Sequence, residues 1–142
     1  MAHARDIMKP GAECIGESHT LAAAARRMRD LNVGAMPICG DDDRLQGIIT
    51  DRDIVIRCVA EGRDPETVTA RELAHGTPIW VDAGADQREV VRLLAEHKIR
   101  RLPVIEDHRL IGMISEADVA THLSEPEVTE FARAVYSAPP TR

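Results

Sequence analysis

The chain repeats itself, and that duplication limits what it can fold into more than any other feature. A shift of 66 residues lays Ala4-Arg5-Asp6-Ile7 on Ala70-Arg71-Glu72-Leu73. The same shift puts Arg26 on Arg92, Met28 on Leu94, Val33 on Ile99 and Pro37 on Pro103. One residue is lost in the polar stretch Gly40–Arg44, and a shift of 65 then carries on through Gly47/Gly112, Thr50/Ser115 and Asp53/Asp118. Each copy alone is too small to bury a comfortable core. A chain of 142 residues is long enough for one well-buried pair. The expectation is therefore two related halves that bury their sheets against each other about a pseudo-twofold axis.

Within each copy the hydrophobic spacing reads strand, helix, strand, strand, helix, an α/β (α+β) unit. Short apolar runs, "AECIG" and "PIWVD", suit strands. The stretch "TLAAAARRMRDLN" sets Leu21, Ala24, Ala25, Met28 and Leu31 on one helical face, with Thr20 as N-cap. Asp86 stands at the equivalent position and opens a capping-box pattern with Glu89. "AMPICGDDDRLQGIIT" and "RLPVIEDHRLIGMIS" each read as a hairpin around a polar turn. Pro37 and Pro103 mark strand starts, because proline cannot donate to a sheet ladder. Thr50 and Ser115 then cap a second helix in each copy. The expected organisation is repeat 1 over residues 1–61, a linker over 62–69, repeat 2 over 70–124, a C-terminal helix over 125–137 and a disordered tail over 138–142.

Composition removes several classes of function. Net charge is −6 with no dense Lys/Arg block, which argues against nucleic acid. One Trp, one Tyr and one Phe leave few platforms for stacking single-stranded bases. No run approaches ~20 apolar residues, and the N-terminus has charges where a leader would need an apolar stretch. The expectation is no membrane partner and a cytoplasmic protein. Six histidines lack i, i+4 pairing and three cysteines lack C-x-x-C spacing, so no metal is expected. Asp41-Asp42-Asp43 lacks the spacing of a calcium loop and reads as a hairpin tip. Asp51, Asp53, His108 and His122 form no nucleophile–base pattern, so no catalytic residue is assigned.

The twice-written segment Gly47-to-Asp53 and Gly112-to-Asp118 has two readings. A helix start offers free N–H groups and partial positive charge, a seat for phosphate. The hydroxyl of Thr50 or Ser115 can join that seat. Asp53 or Asp118 then lies about one turn on, where a carboxylate can accept from ribose hydroxyls at roughly 1.5–3 kcal/mol. Alternatively, hydroxyl and carboxylate simply cap the helix, a role worth ~1 kcal/mol.

These features together, with the "MPIC" and "LPVI" strands and the strand–helix opening of each half, resemble a tandem pair of CBS domains, a Bateman module. The likeness covers nearly the whole chain, and it extends to stand-alone members tied to stress responses. It implies a non-enzymatic regulatory module that requires no cofactor. Such a module binds an adenosine ligand (AMP, ADP, ATP or S-adenosylmethionine) in the cleft between repeats. By position, Thr50, Asp53, Ser115 and Asp118 are the polar readers, and Ile15, Val81, Pro37 and Pro103 are candidates for the base-flanking wall. Arg52, Arg100 and Arg101 are candidates for phosphate neutralisation or, equally, solvated arginines. Ala117 stands where the first copy has Arg52, so the two sites should not be equivalent. The alternative is a ligand-free protein-interaction module of the same fold.

The family pattern further implies a homodimer, for which Ile54, Val55, Cys58, Val119 and Leu123 are apolar candidates, the alternative for them being the intramolecular core, and an unidentified protein partner downstream. If the first two strands of repeat 1 run parallel and adjacent, Cys14 and Cys39 come within disulfide range. Their counterparts, Trp80 and Ile105, are plain core types, so two buried thiols is the other reading.

Overall fold

The computed structural model describes residues 2–11, 13–74 and 78–137; the tail expected over 138–142 lies outside them. It has the mixed α/β architecture and the two repeats read from the sequence. The compact units in space are not the repeats along the chain, however. Glu13–Pro78 make one unit, and the second joins the N-terminal segment up to Gly11 to the residues from Ile79 on.

Hydrogen bonding explains that exchange. Helix α1 (Ala4–Ile7) docks on the second repeat, where Ala4 N donates to Ala85 O at 2.7 Å and Arg5 N to Ala83 O at 3.1 Å. Helix α4 (Ala70–Leu73) docks the same way on the first, with Ala70 N bonded to His19 O at 2.8 Å and Arg71 N to Glu17 O at 2.9 Å. Ala4 and Ile7, like Ala70 and Leu73, are buried in the unit they join. The matched "ARDI" and "AREL" segments are thus the same plug used twice. Each plug is closed by a capping box, His3 with Asp6 and Thr69 with Glu72. The backbone N–H of His3 holds the Asp6 carboxyl below the usual carboxylate range, and that of Thr69 does the same for Glu72.

In the first unit, β2 (Ile15–Gly16), β3 (Ala35–Cys39) and β4 (Leu45–Thr50) form a sheet of order β2-β3-β4. The β2–β3 pair is parallel and β3–β4 antiparallel. Helix α2 (Leu21–Leu31) makes the crossover, with Ala23 N donating to the Thr20 side chain at 3.1 Å. Leu21, Ala24 and Met28 are its buried face. Ala25 and Leu31, placed on that face from spacing, are exposed instead.

The stretch expected as a linker is anchored: Val68 is buried, Leu21 N donates to its carbonyl at 2.9 Å, and Thr69 bridges Thr20. Helix α3 (Asp51–Ile54) widens into a π-helical turn (Val55–Val59), and Gly62 follows at positive φ.

The second unit contains α5 (Gln87–His97) and a sheet of order β1-β7-β6-β5. Its strands are β1 (Lys9–Pro10), β5 (Val81–Asp82), β6 (Arg101–Glu106) and β7 (Arg109–Ser115). Helices α6 (Glu116–His122) and α7 (Glu125–Tyr136) complete it. Phe131 and Val135 carry α7 into the core. Both hairpins shift register at the same repeat position, Ile38/Cys39 and Val104/Ile105. The tip of the first is the Asp41–Asp43 run, where Asp42 accepts from Arg44 N.

Of the apolar positions offered for dimer contact, Ile54, Cys58, Val119 and Leu123 lie in the cores of their own units. Only Val55 is exposed, joined by Ile56 and Val59. The reason is direction: the first helical turn after each hairpin must cover its own sheet. No helix among the described residues is long and apolar enough to cross a membrane.

Candidate ligand site

In the first unit, β4 ends at Thr50 and α3 begins at once, so hydroxyl and carboxylate meet across one turn. Thr50 Oγ1 accepts from Asp53 N at 3.0 Å, and Asp53 Oδ2 accepts from Thr50 N at 3.0 Å. Asp53 is only 5% exposed. Its second oxygen, Oδ1, is buried without a hydrogen-bond partner and lies 3.8 Å from Arg57 Nη1. A buried acceptor left without a donor costs roughly 1–3 kcal/mol, so it calls for a reason.

The second unit repeats the device with a difference. Ser115 N and Ser115 Oγ both donate to Asp118 Oδ2, at 2.8 and 2.9 Å. Arg57 is replaced by His122, whose Nδ1 lies 3.0 Å from the Asp118 carbonyl. Arg101 stands opposite Ser115 in the β6–β7 ladder, where the first unit has Ala35 opposite Thr50. Neither carboxylate points into water. Both are engaged in the cap that the sequence offered as one alternative.

The other assigned residues divide. Ile15 pairs with Ile38, and Val81 with Val104, and both are fully or nearly buried in their own cores. Pro37 and Pro103 are also buried, each opposite an aliphatic residue of the hairpin, Ile48 and Met113. Arg52 is exposed on α3. Arg100 is held 5.3 Å from the ring centroid of Tyr136, a cation–π contact, and the Tyr136 hydroxyl donates to Glu116.

Sequence reasoning passed over Arg57, although its i, i+4 spacing from Asp53 on a helix was a usable signal. It also passed over Tyr136 and Glu116, which are brought together only by the seating of α7. Cys14 and Cys39 form a disulfide, with Cα atoms 5.6 Å apart. The parallel register sets Cys39 opposite Gly16, so Cys14 reaches it diagonally from just before β2, and the free thiol, Cys58, is buried.

Two hairpins, each feeding a capped helix and each completed by a plug from the other repeat, define a CBS-domain protein. The CBS domain matches residues 4–59 and 70–125, and the chain belongs to that family. Hypoxic response protein 1 of Mycobacterium tuberculosis is 53% identical over 137 residues, 96% of either chain. Among solved structures, hypoxic response protein I with two coordinated zinc ions superposes with a TM-score of 0.80 at 54% identity. That match covers 87% of this chain and all of the other. The hexameric CBS-CP12 protein from bloom-forming cyanobacteria gives 0.77 at 30% identity, over 89% of this chain and 74% of that one. CBS-domain proteins are generally regulatory, non-catalytic modules, and CBS pairs generally bind adenosine ligands.

Proposed function

We propose that this chain is a non-enzymatic sensor of an adenosine-containing ligand, AMP, ADP, ATP or S-adenosylmethionine, acting in a response to oxygen limitation or related stress. The observation that carries the reading is Asp53 Oδ1, a buried carboxylate oxygen with no hydrogen-bond donor, at the start of a helix whose first N–H groups are the natural seat of a phosphate. A ribose hydroxyl supplies the missing donor. Thr50, Asp53, Ser115 and Asp118 are the polar readers, Ile15, Val81, Pro37 and Pro103 flank the base, and Arg52, Arg100 and Arg101 serve phosphate. The first site is the stronger, because among the described residues Asp53 Oδ1 is the buried side-chain oxygen without a hydrogen-bond partner. Binding changes the packing that a downstream protein meets, through unequal affinity for two arrangements.

The zinc-bearing relative raises the matter of a metal. Among the described residues no group of three or more His, Cys, Asp or Glu could hold one, so no metal chemistry enters the proposal. A homodimer is proposed through Val55, Ile56 and Val59, the exposed apolar patch of the π-helical turn. In that case Val59→Glu sediments as a monomer where the parent chain sediments as a dimer.

The complete capping boxes favour a second reading: the grip has become a cap only, and the protein works through protein contacts alone. Thermal unfolding with each ligand separates the two. A binder at 100 times its Kd adds about 2.7 kcal/mol of stability. The sensor reading expects that shift in the parent chain and its loss in Asp53→Ala/Asp118→Ala, each measured against its own unliganded state. No shift with any adenosine ligand leaves the second reading standing.

A further inference from the structure

We propose that the Cys14–Cys39 bridge is a reversible thiol–disulfide switch on an edge strand, operated by a dithiol reductant. The proposal does not depend on nucleotide binding. Its starting point is a comparison the molecule makes with itself. Strand β2 pairs with β3 in parallel over two residues, Ile15↔Ile38 and Gly16↔Cys39. Strand β5 pairs with β6 in the matching register, Val81↔Val104 and Asp82↔Ile105. The bridge in the first unit is replaced in the second by Trp80 and Ile105, and the same pair of strands forms without a covalent tie. The fold therefore does not require the disulfide.

Access is one-sided. Cys14 is half-buried at the start of edge strand β2, whereas Cys39 is 3% exposed inside the sheet. A thiolate of the reductant attacks Cys14 Sγ, the Sγ–Sγ bond breaks, and Cys39 leaves as a thiolate that takes up a proton. The second thiol of the reductant then displaces Cys14 from the mixed disulfide. The products are two cysteine thiols and the oxidised dithiol, a two-electron exchange with no other reactant.

The strand so released carries other contacts. Glu17 N donates to Cys39 O at 3.1 Å, directly past the bridge. The Glu17 and His19 carbonyls receive Arg71 and Ala70, and the Glu17 carboxylate pairs with Arg71 at 2.7 Å. Loosening β2 therefore loosens the seat of plug α4. The second unit holds the same bonds, Ala83 N to Ile105 O at 2.9 Å and Arg5 N to Ala83 O, with no bridge beside them.

Amide hydrogen exchange on the full chain, oxidised and then reduced with dithiothreitol under native conditions, tests the switch. Alkylation followed by mass measurement counts the thiols. On reduction, exchange at Glu17 and Arg71 accelerates by about tenfold or more while Ala83 and Arg5 stay unchanged. Cys14 becomes alkylated and Cys58, buried at 0% exposure, does not. Reoxidation restores the slow rates, and Cys14→Ser/Cys39→Ser reproduces the reduced form. Three results overturn the proposal: a bridge that resists dithiothreitol until the protein unfolds, rates at Glu17 and Arg71 that ignore reduction, or Cys58 alkylated as fast as Cys14. The last identifies a staple whose loss unfolds the unit.

Discussion

Gly112→Ala should destabilise the protein while Gly47→Ala, its repeat equivalent, leaves stability nearly unchanged. Both glycines have ordinary negative φ, so neither is needed for a left-handed backbone. They differ in what crosses over them. Strand β1 lies against Gly112, with Pro10 opposite it in the ladder, and a Cβ there would sit 2.7 Å from Lys9 O and closer still to Met8 Sδ. Met8 can swing aside, but the Lys9 carbonyl belongs to the β1 backbone. A carbon–oxygen contact wants at least about 3.3 Å, so one strand must move by roughly 0.6 Å. Overpacking of this kind costs about 1–3 kcal/mol. The lost flexibility of the unfolded chain returns ~0.4–1 kcal/mol for either Gly→Ala change. The net for Gly112→Ala is therefore a loss of roughly 0–2.6 kcal/mol, centred on ~1.3 kcal/mol, which is a fall of about 4 °C in Tm. At Gly47 the nearest atom is the Ala74 Cβ at 3.1 Å, so the chain at Ala74 need shift by only a few tenths of an ångström. Urea unfolding followed by circular dichroism measures both. Equal stability of Gly112→Ala and the parent chain, or a larger loss at Gly47, would refute the packing argument.

Three further outcomes are expected. Leu94→Ala removes a fully buried side chain from the second core and should cost about 2–5 kcal/mol by denaturant unfolding. Asp118→Ala strands the part-buried Ser115 N–H and should cost roughly 1–3 kcal/mol, with Asp118→Asn milder. The Asp6 and Glu72 carboxyls are held low by backbone N–H groups, so their contribution is present above the ordinary carboxylate range and is lost as pH falls through the folded values. Glu72→Gln should therefore lower stability at neutral pH and leave it little changed in acid, which flattens the acid limb of a stability–pH profile.

Much was legible in the chain because it concerns neighbours. The duplication, the hairpins at "MPIC" and "LPVI", the caps at Thr20, Asp86, Thr50 and Ser115, and the pairing of hydroxyl with carboxylate three residues on all follow from spacing within one turn or one hairpin. The Cys14–Cys39 bridge was also within reach, since a helix between two strands sets them parallel and side by side. Ile54, Cys58, Val119 and Leu123 were read as contact candidates because apolar spacing does not say which apolar partner is nearest.

The sequence alone thus determined two copies of one α/β design and the residue types at each helix start. Tertiary structure decided that each copy completes the other's unit with its own first helix, and that Asp53 Oδ1 is buried without a hydrogen-bond donor. Both decisions depend on groups far apart in the chain: Ala4 beside Ala85, Met8 over Gly112, Arg101 across from Ser115. Local periodicity reports only which face is apolar; the partner that covers it is set by minimising exposed surface and unpaired backbone over the whole molecule.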